Sequence, residues 1–138
     1  MNIDHDQWLK RTVTLVRAKQ WQAIDSESLA EELEALGKSE RRSIESQLVR
    51  LLVHLLKWQY QPQRRSDSWL DSISDARLQI DLTLQDSSSL KGYPAEQLSK
   101  TYLKARQGAS QQTGLPLHSF PETCQYTLEK MLDEGWLP

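Results

Sequence analysis

The chain has 138 residues, 38% hydrophobic and 26% charged, with a formal net charge of −2, a balance that is ordinary for a soluble globular domain. The length predicts a single domain over residues 1–138. The near-neutral charge argues against nucleic acid or an anionic membrane as a partner. A lone cysteine, Cys124, excludes an internal disulfide and a cysteine-based zinc site. The polar, acidic N-terminus carries no apolar signal region, so we expect a cytoplasmic protein.

Two helices are predicted before Gly37. The first runs from about Asp6 to Gln20, with Asp4 or Asp6 as its cap. Its apolar face comprises Trp8, Leu9, Val13, Leu15 and Val16. The second begins near Asp25, and helical spacing predicts a buried stripe of Leu29, Ala30, Leu33 and Leu36. We expect Gly37 to close or kink this helix, because glycine is favoured at helix C-termini.

The third predicted helix, from about Ser39 to Tyr60, carries most of the apolar sequence. From Leu48 onward it is apolar on most of its circumference, which predicts a central position in the fold. Arg50 and His54 interrupt the apolar stretch and leave it too short and too polar to span a bilayer. Buried polar groups need hydrogen-bond partners, so this helix either holds an internal polar network or lines a site. Pro62 ends it.

Three further helices follow the proline. The fourth begins at Ser66 or Ser68, the fifth starts at Pro94 and ends at Gly114, and a short last helix covers about Cys124 to Leu132. No segment shows the two-residue alternation of a strand. The sequence therefore predicts an all-α protein, a compact bundle of five to six helices around a long central third helix.

Charge alternates in sign along the chain. Residues 25–34 contain five acids and no base, residues 38–65 contain seven bases and two acids, and residues 67–86 contain five acids and one base. This alternation is typical of successive antiparallel helices that pair across their contacts. Each exposed pair contributes only about 0–1 kcal/mol, so the pattern favours a register more than it adds stability.

A histidine and three carboxylates form the first candidate site. His54 can act as a base or ligand near neutral pH, or as a hydrogen-bonded core residue, and we favour the second role. Glu27, Glu31 and Glu34 share one face of the preceding helix and could meet His54 across the bundle. A two-metal site in a helix bundle needs a glutamate three residues before a histidine, and none of the three histidines has one. We therefore predict no metal, and we expect these glutamates to pair with Arg41, Arg42 or Arg50.

Basic and aromatic residues are interleaved after the third helix. The bases Lys57, Arg64 and Arg65 alternate with Trp58, Tyr60 and Trp69, as on a nucleic-acid surface. Because the cluster is short and its neighbours are acidic, we favour arginines that cap helix carbonyls or pair with Asp67 and Asp71. The five tryptophans lie near helix ends, where they either plug a bundle or form an exposed protein-binding patch.

Four segments resemble a known bacterial family. They are LAEELEALGKSERR, LLVHLLKWQYQPQRRSDSW, the TGLP loop and the ending TCQYTLEKMLDEGWLP. They are similar to the family known as domain of unknown function twenty-nine, which is common in photosynthetic bacteria, and the resemblance covers nearly the whole chain. It implies a small all-helical domain and implies no activity.

Two functions from different classes follow from these residues. The first is a cytoplasmic, non-catalytic binding module without a cofactor, whose partner is another protein or a second copy of the chain. Its candidate surface comprises His54, Lys57, Trp58, Tyr60, Arg65 and Trp69, faced by Glu31 and Glu34. The alternative is a metal-dependent hydrolase or nuclease in which Glu31, Glu34 and His54 surround a divalent ion and a metal-bound water attacks.

Overall fold

The structure is a computed structural model that describes residues 3–138, and this part of the chain contains five α-helices. They are α1 (His5–Arg17), α2 (Ser26–Tyr60), α3 (Asp67–Asp86), α4 (Tyr93–Thr113) and α5 (Leu128–Leu132). Short 3₁₀ turns lie between them, and the described residues contain no strand. The all-α prediction is therefore confirmed. Within residues 3–138, no helix is both long and apolar enough to cross a membrane.

The second and third predicted helices form one continuous element, so the expected break at Gly37 is wrong. α2 runs over 35 residues with Gly37 inside it. A glycine inside a helix costs about 1 kcal/mol relative to alanine. The leucine, glutamate and lysine residues on both sides are good helix formers that offset this cost. A left-handed φ of 76° occurs instead at Gly114, which ends α4 as predicted.

Two helix starts follow the predicted caps. Asp4 accepts a hydrogen bond from the backbone N–H of Gln7 at 2.9 Å, and the Gln7 side chain accepts one from the Asp4 N–H at 3.2 Å. This reciprocal arrangement is a capping box. Ser66 accepts from the N–H of Trp69 at 3.3 Å and caps α3. The last helix is shorter than expected, since it begins only after Thr127, which caps it.

Contacts group the chain into two compact units, Met1–Lys38 and Ser39–Pro138, so the expectation of a single domain stays a prediction. In the first unit, α1 and the start of α2 form a helical hairpin. His5 Nε2 lies 3.2 Å from Glu32 Oε1, and Leu15 lines the same small cleft as Ile24. The start of α1 thus lies beside α2 and its end beside the connecting turn, so the two helices are antiparallel.

In the second unit, the part of α2 after Ser39 forms the centre. Its buried residues are Ile44, Leu48, Leu51, Leu52, Val53, Leu55 and Leu56. They belong to one core with residues of α3, α4 and the C-terminal segment, namely Ile73, Ala76, Ile80, Tyr102, Ala105, Ala109, Phe120 and Met131. The predicted core around Leu48 to Leu56 is confirmed. Gly108 permits a close approach, because a Cβ there would lie 3.3 Å from Val53 Cγ2.

A buried arginine on α3 holds the C-terminal segment. Arg77 Nε donates to the carbonyl oxygen of Met131 at 2.7 Å, and its Nη2 donates to that of Trp136 at 2.7 Å. A third, longer bond of 3.3 Å joins Nη1 to the carbonyl of Glu134. The Arg77 side chain therefore satisfies backbone acceptors more than fifty residues away in the sequence.

Candidate functional site

Four predicted binding residues form two cation–π pairs where α2 ends. Lys57 Nζ lies 4.6 Å from the centre of the Trp69 ring and donates to Gln112 Oε1 at 3.0 Å. The Arg65 guanidinium carbon lies 4.7 Å from the centre of the Trp58 ring. Burial lowers the pKa of Lys57. The structure thus joins these four side chains in two pairs, and each cation already contacts an aromatic face of its own chain.

Arg65 also replaces a missing backbone donor at the end of α2. The carbonyl of Trp58 would normally accept from the N–H four residues later, but that residue is Pro62, which has none. Arg65 Nε donates to this carbonyl at 2.8 Å. The capping role expected for this arginine is therefore confirmed.

Tyr60 packs against the C-terminal part of the chain. Its ring centre lies 5.4 Å from that of buried Phe120, and the planes meet at 75°. This edge-to-face geometry is a favoured arrangement of aromatic pairs. The adjacent Gln59 accepts a hydrogen bond from Tyr126 Oη at 2.6 Å. These contacts give Tyr60 a packing role in the second unit.

His54 forms a hydrogen bond within its own helix. Its Nδ1 lies 2.7 Å from the carbonyl oxygen of Arg50, so the neutral ring carries its proton on Nδ1 and donates it. Burial lowers the pKa of His54, the bond to Arg50 opposes this effect, and the charges of Lys57 and Arg50 add to it. The half-buried ring therefore favours the neutral form. This geometry favours the hydrogen-bonded core histidine over a catalytic base.

Arg50 pairs with α3, and the expected pairing of the glutamates in residues 27–34 with Arg41, Arg42 or Arg50 stays a prediction. The Arg50 Nη1 lies 2.5 Å from Asp75 Oδ2. Arg50 also lowers the pKa of Asp75. The contact joins the basic second half of α2 to the acidic α3. It therefore follows the alternation of charge along the sequence.

Glu31 and Glu34 lie on the same helix as His54, because α2 is continuous. Their expected position opposite His54 assumed two separate helices, and side chains on one helix meet only when three or four residues apart. Within residues 3–138, no group of three or more His, Cys, Asp or Glu side chains is arranged to hold a metal ion. Glu31 instead lines a shallow cleft of about 520 Å³ with His5 and Trp8.

The hairpin exposes apolar side chains that the sequence predicted to be buried. Among the described residues before Ser39, only Thr12 is buried. Leu33 is 59% exposed, Leu36 56% and Val13 46%, and Trp21 in the connecting turn is 61% exposed. The predicted buried stripe of α2 is therefore wrong. Helical periodicity correctly predicted that these residues share one face of the helix, but it does not indicate whether another element covers that face.

The exposed stripes of the two helices lie on the same side of the hairpin. The α1 residues that line clefts with α2 or with the connecting turn include Trp8, Thr12 and Leu15, and the α2 residues that line a cleft with α1 include Ser28, Glu32 and Ala35. On each helix the exposed stripe follows these contacts by one residue, which is a rotation of about 100°. Because the helices are antiparallel, this same rotation turns both stripes towards one side. We call this surface the hairpin face: half-buried Leu9 with exposed Val13 and Val16 of α1, and half-buried Leu29 with exposed Leu33 and Leu36 of α2.

Cys124 is a packing residue. Its half-buried side chain packs against the core, and its Sγ lies 3.5 Å from the carbonyl oxygen of Tyr126. Burial raises the pKa of the Cys124 thiol, and the contact with Tyr126 only partly opposes this. A raised thiol pKa disfavours the reactive thiolate, which agrees with a packing role.

These features define a small all-α protein with a helical hairpin and a helical core unit. Residues 2–137 match the family described as "Domain of unknown function DUF29", and the chain belongs to that family. The resemblance read from the four sequence segments is therefore confirmed. Comparison with curated proteins and with solved structures returned no match.

Proposed function

We propose that the protein is a cytoplasmic, non-catalytic protein-interaction module whose binding surface is the hairpin face. The observation that carries this proposal is the exposure of Leu33, Leu36 and Val13 on one side of a hairpin. Contiguous exposed apolar surface is rare in monomeric proteins and typically marks a binding site. Trp21 in the connecting turn is also exposed, and tryptophan is enriched among residues that dominate binding energy.

Size supports the same proposal. Below about 40 residues, a compact unit buries too little apolar surface to be stable without a further contribution, such as a partner. The unit Met1–Lys38 is of this size, and among its described residues only Thr12 is buried. Covering the hairpin face with another protein surface would supply the missing burial.

The residues first predicted to bind divide between two surfaces. Glu31 and Glu34 lie in the first part of α2, where Glu31 lines the cleft with His5 and Trp8 and Glu34 is exposed. The cluster at the end of α2, with His54, Lys57 and Trp69, has its polar groups engaged within the chain. We keep that cluster as a proposed secondary contact surface, since its aromatic rings are partly exposed.

The alternative of a metal-dependent hydrolase or nuclease has no observation in its favour. It required Glu31, Glu34 and His54 to converge from separate helices, and α2 is a single helix. We therefore do not propose it.

The test compares the proteins recovered from native cells with three tagged forms of the chain. These are the wild type, a face variant with Leu33→Glu and Leu36→Glu, and a control with Leu103→Glu. Leu103 is 56% exposed and lies in the second unit, so the control introduces the same chemistry elsewhere. We expect a partner, including an untagged copy of the chain, that is lost with the face variant and kept with the control. Equal recovery with all three forms would overturn the proposal.

A further inference from the structure

We propose that the cleft between α2 and α4 binds the phosphate group of a small molecule. This site goes beyond the proposed function and is separate from the hairpin face, since all of its residues belong to the second unit. The cleft has a volume of about 300 Å³, at the lower end of the range for small-molecule sites. Its basic side chains are Arg42 of α2 with Lys100 and Lys104 of α4.

The cleft lies along two parallel helices. Three contacts between α2 and α4 join residues that are 55 positions apart: Glu45 with Lys100, Val53 with Gly108, and Lys57 with Gln112. This constant offset shows that the two helices run in the same direction and in register. It also places Val49 opposite Lys104, one turn before the close approach at Gly108. Side chains of both helices therefore line one continuous cleft over the preceding turns.

Glu45 places a carboxylate among these bases and is itself held in position. Lys100 Nζ lies 3.7 Å from Glu45 Oε1, and Tyr93 Oη donates to the same oxygen at 2.7 Å. The bond from Tyr93 lowers the pKa of Glu45, burial opposes this effect, and the charges of Lys100 and Lys104 add to it. Glu45 is therefore ionised at neutral pH, and its charge offsets that of Lys100.

Arg42 and Lys104 supply the two positive charges that remain. Both side chains are exposed, and among residues 3–138 neither forms an ion pair. A phosphate monoester carries a charge of about −1.5 to −2 at neutral pH and has three acceptor oxygens. The planar guanidinium of arginine binds two such oxygens at once, and lysine contributes a point charge. The hydroxyl of Ser46 lines the same cleft and adds a further donor. The cleft thus matches a phosphate group in charge and in donors.

Val49 gives the cleft an apolar part. Its side chain is half-buried against the core and lines the cleft beside the bases. An organic group attached to the phosphate would contact Val49, whereas the free phosphate ion has no such group. Affinity therefore distinguishes the two sources of a phosphate group, the free ion and a phosphate monoester.

The first experiment titrates the full-length protein with inorganic phosphate and, separately, with phenyl phosphate at constant ionic strength. NMR of the backbone amides locates the binding. We expect saturable shifts at residues 42–49 and 100–104. Tighter binding of phenyl phosphate would identify a monoester as the ligand, and equal affinity would identify the free ion. If neither probe gives saturable shifts at these residues, the proposal is overturned.

The second experiment compares two variants that each lose two positive charges. The site variant carries Arg42→Gln and Lys104→Gln, and the control carries Lys91→Gln and Lys130→Gln, at exposed positions elsewhere in the second unit. We expect the control to bind phenyl phosphate as the wild type does. The site variant should bind it at least about 10-fold more weakly, because the charged donors are lost. Equal affinities of the two variants would show that net charge alone attracts the anion, which refutes a site in this cleft.

The third experiment changes the affinity in the opposite direction. Glu45→Gln removes the negative charge from the cleft and leaves Lys100 free to contact the ligand, while the new amide can still accept from Tyr93. The affinity for phenyl phosphate should rise about 5-fold, the effect of one unit charge about 4 Å away in water. Circular dichroism checks that the variant is folded. A folded Glu45→Gln variant with unchanged or weaker affinity would place the phosphate outside this cleft and overturn the proposal.

Discussion

Replacement of Arg77 by methionine tests how the C-terminal segment is held in place. Methionine keeps most of the aliphatic stem of the side chain but removes every donor. The carbonyls of Met131 and Trp136 then lose the two 2.7 Å bonds that Arg77 provides. Because the arginine is only 5% exposed, water replaces these bonds incompletely.

The expected loss follows from the bonds. A hydrogen bond to a charged group contributes about 1.5–3 kcal/mol. Two short bonds near the lower end of that range predict a decrease of about 3–4 kcal/mol in the free energy of unfolding. The third bond, to the carbonyl of Glu134, is 3.3 Å long and adds little. Arg77→Lys keeps the charge and can satisfy one carbonyl, so its expected loss is about 2 kcal/mol.

Urea unfolding followed by tryptophan fluorescence measures these differences. Hydrogen exchange locates them, since the amides of Met131 and Trp136 should exchange faster in the variant. Arg64→Met serves as the control, because Arg64 is exposed and such changes usually stay within about 0.5 kcal/mol. If Arg77→Met and Arg64→Met unfold at the same urea concentration, Arg77 does not hold this segment and the argument fails.

Three further predictions concern α2 and the C-terminal loop. The pKa of His54 is lowered in the folded protein, so its contribution to stability is present above the unfolded pKa of about 6.5 and is lost as pH falls through the folded pKa. His54→Gln should therefore flatten the pH dependence of the unfolding midpoint between about pH 5 and 7, whereas His118→Gln, at an exposed position, should not. Equal pH dependence of the midpoint in the two variants would contradict this. Gly37→Ala should increase the helicity measured by circular dichroism. Gly37→Pro should destabilise the helix by about 3 kcal/mol and speed hydrogen exchange on both sides of position 37. Rapid hydrogen exchange at these positions in the wild type would show that α2 is broken. The Cys124 thiol, whose pKa burial raises, should react with a disulfide reagent at neutral pH at least about 10-fold more slowly in the folded than in the urea-unfolded protein, and equal rates would refute its packing role.

Several features of the fold were predictable because they depend on local chemistry. Asp4, Ser66 and Gly114 lie at helix ends as expected, since caps act over three or four residues. The core around Leu48 to Leu56 was predictable because a helix that is apolar on most sides must be covered on most sides. The candidate site was predictable only in part. The interleaving of basic and aromatic residues predicted both Lys57 and Trp69 as binding residues, but the contacts of Lys57 depend on residues of α3 and α4.

The sequence by itself determined the helices, their caps and the residues that share a face, because these follow from the 3.6-residue period and from short-range hydrogen bonding. The tertiary structure decided what lies opposite each face. In the folded protein Asp75 forms an ion pair with Arg50, and three distant carbonyls accept hydrogen bonds from Arg77. Leu33 and Leu36 are exposed to solvent. Periodicity gives the direction in which a side chain points, whereas its partner belongs to another part of the chain or to another molecule. For this reason the hairpin face, which the sequence assigned to a core, became the proposed binding surface only when its exposure was known.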